Sequence, residues 1–164
     1  MSQTIVDNTR KEETNSYNLG VNAPATISGQ GQQFIIYTAV TVSKLTIKLR
    51  RYVYGEVGPV GILTARLYGS HTGNFKNGYD YADGLIAESN SRNIVFLAST
   101  FQNVEFNFSD VELPAGIYYI CIYATDYVTN DGYVELSVTN SAISSFGYPI
   151  WWSNDLGRWA GWDE

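Results

Sequence analysis

Residues Phe101–Thr125, FQNVEFNFSDVELPAGIYYICIYAT, decide how this chain folds. In the first half Val104, Phe106 and Phe108 alternate with Asn103, Glu105 and Asn107. That is the period-2 pattern of a strand with one dry and one wet face. In the second half Ile117 to Tyr123 is apolar at every position, as a strand covered on both faces requires. Leu113-Pro114-Ala115-Gly116 between them is turn chemistry, since proline fixes φ and glycine is free to make it positive. The stretch predicts two adjacent antiparallel strands in one packed sheet.

Residues 1–30 are polar and predict an N-terminal arm with short edge strands at Ile5-Val6 and Tyr17–Gly20. Gly29-Gln30-Gly31 reads as punctuation before a strand at Gln32–Thr38. From Val42 to Val53, Leu45, Ile47 and Leu49 alternate with Lys44, Thr46, Lys48 and Arg50, which predicts a long strand with one basic face. Glu56–Gly61 turns the chain into Ile62–Tyr68, with Leu63, Ala65 and Leu67 inward and Thr64 and Arg66 outward. Gly69–Gly84 reads as a long loop, of the length that marks function or mobility. Leu85–Ser89 and Ile94–Leu97 predict short strands, Asp126–Gly132 a connection, and Tyr133–Thr139 a further strand. Roughly ten strands at this spacing, with no helical apolar stripe, predict an all-β, antiparallel two-sheet β-sandwich. It forms a single domain over 31–164, and a jelly roll is the expected winding.

With 164 residues, 45% hydrophobic and 16% charged, the composition is that of one globular domain. A net charge of −6 disfavours nucleic-acid and anionic-membrane binding, which need a positive field. No apolar run approaches the ~20 residues of a membrane helix. Met1 is followed by polar SQTIVDNTRKEET with no signal-like apolar stretch, so the expectation is a chain made in a cytoplasm and not exported by the ordinary route. Cys121, the single cysteine, reads as a small buried hydrophobe.

Chemistry is sparse. His71, the one histidine, sits in GSHTG and reads as a surface-loop residue rather than a catalytic base. Glu88, Glu105 and Glu135 offer carboxylates for a glycosidase pair, but any β-sandwich does so. Asp80, Asp83, Asp126 and Asp131 are calcium-type ligands without the spacing of an EF-hand, and ordinary turn residues is the better reading. Lys44, Lys48 and Arg50, with Arg66 beside them, form a basic strip that reads as a solvated face or as a subunit interface. Aromatics are the best lead. Phe75, Tyr79 and Tyr81 in the long loop are of the type that stacks on glycans. Tyr148, Trp151, Trp152, Trp159 and Trp162 in the tail read as core closure, interface or sugar platform. Trp151 and Trp152 fall on opposite sides of an extended chain, so at most one enters the core.

The succession GQQF, SKLTIKLRR, GPVGILTARLYG, DGLIAESNS, VEFNFSDVELPAGIYYICIYAT and a late Trp-containing strand resembles jelly-roll domains of bacterial surface proteins and of phage or other virion proteins. The likeness covers about residues 30–162 and departs at Gly69–Gly84, which is longer than the usual connection. It implies a non-enzymatic assembly module with no catalytic residues to carry over. The expected role is a virion-surface structural protein: a capsid-decoration, turret, or tail or fibre subunit. Expected partners are further copies of the chain or a larger capsid or tail protein, with Trp151, Trp152, Trp159, Trp162 and the basic strip as interface. Carbohydrate binding is the alternative.

Overall fold

The computed structural model describes residues 15–19, 27–72, 81–128, 130–138, 149–153 and 158–161. Its strands are β1 (Asn15–Leu19), β2 (Ile27–Ile36), β3 (Val40–Val53), β4 (Val60–Thr72), β5 (Tyr81–Glu88), β6 (Arg92–Asn93), β7 (Gln102–Leu113), β8 (Gly116–Val128), β9 (Gly132–Val138), β10 (Pro149–Ser153) and β11 (Arg158–Gly161). They build two antiparallel sheets packed face to face, a β-sandwich. One sheet has the order β1-β9-β3-β7; the other runs β11-β10-β2-β8-β4-β5, with β6 beside β4. From β1 to β4 the chain passes from sheet to sheet with each strand, and it does so again from β7 to β10.

The central stretch is therefore not a hairpin. β7 pairs with β3, and β8 lies between β2 and β4 in the other sheet. The two halves of the motif differ because their sheets differ. β7 buries Val104, Phe106 and Phe108 and leaves Asn103, Glu105 and Asn107 to water. β8 buries Tyr118, Ile122 and Ala124 on the core side, and also Tyr119 and Cys121 on the other. Pro114 and Ala115 carry the chain across, and the Tyr118 hydroxyl donates to the Pro114 carbonyl at 2.9 Å.

Between the sheets, Leu49, Leu63, Ala65, Leu67, Ile94, Phe106 and Val134 lose all contact with water. Burying one such Leu or Phe contributes ~1.5–3 kcal/mol. Leu63, Ala65 and Leu67 face inward as expected, but Thr64 is buried too, on the outer side of β4. Tyr68, Tyr119 and Cys121 are buried on that same outer side, and β11 comes against β5 at the opposite edge of its sheet. The larger sheet thus curls until its two edges meet, and a second dry layer lies outside the main core.

Several local expectations change. Ile94–Leu97 is no strand: Ile94–Phe96 is a 3-10 turn, capped by the Asn93 side chain, which accepts from the Val95 N–H at 3.0 Å. Gly29-Gln30-Gly31 does not break the chain but lies inside β2, opposite Tyr123, Ile122 and Cys121. Ile27–Gln30, counted with the arm, thus belong to the larger sheet, while β1 is the expected edge strand near Tyr17. Ile5-Val6 lies outside the described residues. The expected Gly69–Gly84 loop is strand at both ends, because β4 runs to Thr72 and β5 begins at Tyr81; residues 73–80 lie outside the described residues. Gly61 enters β4 with φ of +137° at a register shift opposite β8, where a side chain would meet the Thr125 carbonyl at 2.9 Å.

Candidate functional site

One end of the sandwich is built by the β3–β4 and β8–β9 connections, which are stitched together. Tyr54 N–H donates to the Asp131 carbonyl at 2.8 Å, and Asp131 N–H donates to the Val57 carbonyl at 2.7 Å. The Asp131 carboxylate accepts from the N–H groups of Glu56 and Val57 at 3.2 and 3.4 Å, and the Asn130 amide donates to the Gly58 carbonyl at 3.2 Å. Arg51 joins in twice: its side chain donates to the Pro59 carbonyl at 3.0 Å, and its N–H to the Ala98 carbonyl at 2.9 Å. The last bond brings the 3-10 segment to the same end. Tyr127 braces it from within, its hydroxyl accepting from Val134 N–H at 3.1 Å; burial pushes that phenol up to about 12.

This end is where exposed apolar side chains gather. Among the described residues twelve large hydrophobics are exposed, and eight of them lie here: Tyr52, Val53, Tyr54, Val57, Ile62, Val95, Phe96 and Val128. Phe96 stands out furthest, at 84% of its full exposure, and Tyr54 at 66%. Single exposed hydrophobics are ordinary; gathered at one end on a bonded scaffold, these make the candidate surface.

Beside it, on the open face of the smaller sheet, the rings of Tyr52 and Tyr133 stack at 4.9 Å, with Tyr54 6.4 Å from Tyr52. The Arg50 guanidinium lies 4.6 Å from the Phe101 ring centre and 5.5 Å from that of Tyr52. It also bonds the Glu135 carboxylate, which is 5% exposed despite facing away from the core. That bond, above all, raises the Arg50 pKa. Tyr133 is raised as well, first by burial and then by the negative Glu135. Register explains the cluster: Arg50 stands opposite Glu135 and Tyr52 opposite Tyr133. Tyr52 already has Tyr133, Tyr54 and Arg50 around it, so the group is a braced ladder rather than an open platform.

The Arg50–Glu135 pair gives an asymmetric expectation. Arg50→Ala deprives a buried carboxylate of its cation and costs about 2 kcal/mol. Glu135→Ala frees an arginine that already reaches water, and costs about 1 kcal/mol or less. Urea unfolding of both variants reads the difference; equal losses would show that the carboxylate is solvated.

The other expected site residues are dispersed. Lys44 binds Glu105 at 2.7 Å in a water-exposed pair, and Lys48 has interactions of its own, so the strip is more a row of partnered charges than a free positive face. Arg66 is not beside it: it belongs to the larger sheet, paired with Glu88 at 2.7 Å and 4.4 Å from the Tyr123 ring centre. Glu88, Glu105 and Glu135 are thus each held by a separate cation and form no carboxylate pair. His71 is in β4 opposite Ala82, not in a loop. Among the described residues no three His, Cys, Asp or Glu side chains converge on a metal position, and Asp131 is occupied with backbone N–H groups. Asp83 is in β5 opposite Ser70, and Asp80 lies outside the described residues.

Trp151 and Trp152 are in β10, opposite Gln30 and Gly29 of β2 and opposite Ala160 and Trp159 of β11. Tyr81 opens β5 opposite Thr72; Phe75, Tyr79, Tyr148 and Trp162 lie outside the described residues. The residues that do form the candidate surface are signalled only weakly in sequence: Tyr52 and Tyr54 follow Arg50 at strand spacing, and Val95-Phe96 falls in a stretch that reads as a short strand. Comparison with protein-family models, with curated proteins and with solved structures finds no match to this chain. No helix among the described residues is long and apolar enough to cross a membrane.

Proposed function

We propose that this chain is a non-enzymatic jelly-roll module of a virion surface, a capsid-decoration, turret, or tail or fibre subunit that docks through the end bearing Tyr54, Val57 and Phe96. The observation that carries it is the gathering of exposed apolar side chains on that end. Aromatics projecting from a rigid rim are the usual anchors of protein interfaces, where one well-seated ring contributes ~2 kcal/mol or more. The passage of the chain between sheets supports the jelly-roll reading: without β6 and the last two strands, the orders β1-β9-β3-β7 and β2-β8-β4-β5 are those of two interleaved Greek keys. The resemblance of about residues 30–162 to virion jelly rolls supports the virion setting. Glycan recognition is the second reading, because Tyr54 and Phe96 are rings open enough to meet a sugar.

Light scattering of the purified chain over a wide concentration range tests the assembly reading, with Phe96→Ser and Tyr54→Ser as companions. A defined oligomer whose dissociation constant rises on the order of 30-fold in either variant supports it. A chain that stays monomeric throughout and binds glycans on an array, with binding lost in Phe96→Ser, would replace it with the second reading.

A further inference from the structure

We propose that Ser89, Asn90 and Arg92 form a guard that keeps the outer edge of β7 from pairing with the same edge of a second copy of this chain. β7 is the last strand of its sheet and, among the described strands, pairs with β3 alone. An edge strand of twelve residues offers a row of unpaired N–H and C=O groups, a template for strand addition. The connection after β5 occupies the middle of that row. Asn90 N–H donates to the Asn107 carbonyl at 2.9 Å, and the Asn90 side-chain carbonyl accepts from Asn107 N–H at 2.8 Å. One residue thereby supplies both the donor and the acceptor that a neighbouring strand would present. Two positions along, the Arg92 side chain donates to the Glu105 carbonyl at 2.9 Å.

Ser89 performs the matching task on the other sheet. Its N–H donates to the Ala65 carbonyl at 2.9 Å, and its hydroxyl accepts from Ala65 N–H at 2.9 Å. The dipeptide is therefore pinned to both sheets at once, and Arg92 is held further by the pairing of β6 with β4. Charge adds a second barrier. Glu105, Asp110 and Glu112 are the charged residues of β7, so two copies edge to edge would bring like charges together. The occupant of an unguarded edge is a second copy of this chain, because β7 is two-faced in the same sense as its partner would be: apolar toward one core, polar toward water.

The test is the paired substitution Asn90→Gly with Arg92→Ala, examined by light scattering at high ionic strength, where the acidic barrier is screened. The expected result is a mass at least twice that of the parent chain at equal concentration. Adding Asn107→Pro removes the edge N–H and returns the parent mass. Asn90→Asp, which keeps an acceptor in place, retains the parent mass without further change. A folded double variant with the parent's mass would overturn the proposal. If the double variant does not fold, hydrogen exchange in the parent decides: the Asn107 amide must be protected, and exchange at the rate of an open edge N–H would equally overturn it.

Discussion

Removing residues 139–164 will turn Cys121 from an inert thiol into one that reacts readily with a water-soluble disulfide reagent. Cys121 is 1% exposed yet sits on the outer side of the larger sheet, away from the main core. Burial raises its pKa well above the ordinary thiol value, with Arg66 pulling weakly the other way. Its cross-strand neighbours are Gly31 and Arg66, and a glycine covers nothing. We expect the cover to come from across the curl, where β10 and β11 bring the edge of the sheet round to β5. Single substitutions sharpen the expectation. Trp152 is in register with Gly29 and, beyond it, Tyr123, on the pleat that carries Cys121; Trp151 is in register with Gln30 and Ile122, on the other. Trp152→Ala should speed thiol reaction by at least tenfold over Trp151→Ala, each variant being checked for a cooperative melt. Protection that survives the deletion would assign the cover to another segment and leave the tail free for a partner.

Gly132→Ala will lower the stability by about 3 kcal/mol or more, measured by urea unfolding. Gly132 starts β9 directly opposite Val53, and a methyl built there overlaps the Tyr52 carbonyl oxygen and comes 2.8 Å from the Pro59 ring. Neither neighbour is the end of a flexible side chain. Relief requires β9 to move away from β3, which would loosen the Tyr52–Tyr133 stack and the rim above it. Gly69→Ala is the contrast, since its methyl would press on Ile86, an exposed side chain that can turn aside, while the Gly84 carbonyl stays at 3.9 Å. It should cost less than about 1 kcal/mol. If both substitutions cost the same, the close approach of β9 to β3 is not what fixes Gly132.

The sandwich was legible because alternation is a property of single strands: Leu45, Ile47 and Leu49, or Val104, Phe106 and Phe108, declare one dry face without reference to any partner. Pairing is not declared that way. β7 and β8 follow one another through a good turn and read as neighbours in sequence, yet their patterns disagree. A strand with a wet face and a strand dry on both faces belong to sheets with different surroundings, and that mismatch was the available clue. The candidate surface was harder still. Val95-Phe96 has the composition of a strand, but the hydrogen bonds of Asn93, Leu97 and Ala98 hold it in a turn from which Phe96 projects at the end of the sandwich. The cations Lys44 and Arg50 were visible in sequence, but their acids, Glu105 and Glu135, come from strands far along the chain.

That distance has a consequence for how the protein is made. β9 is the strand that joins β1 to β3, pairing Asn15 with Val138 and Leu49 with Leu136. During synthesis β1 and β3 leave the ribosome early and wait, unjoined, until β9 has followed from Gly132 onward. Contacts this remote in sequence make folding slow and leave strand edges open to one another meanwhile. Translation speed and chaperone supply should therefore influence the yield of folded chain.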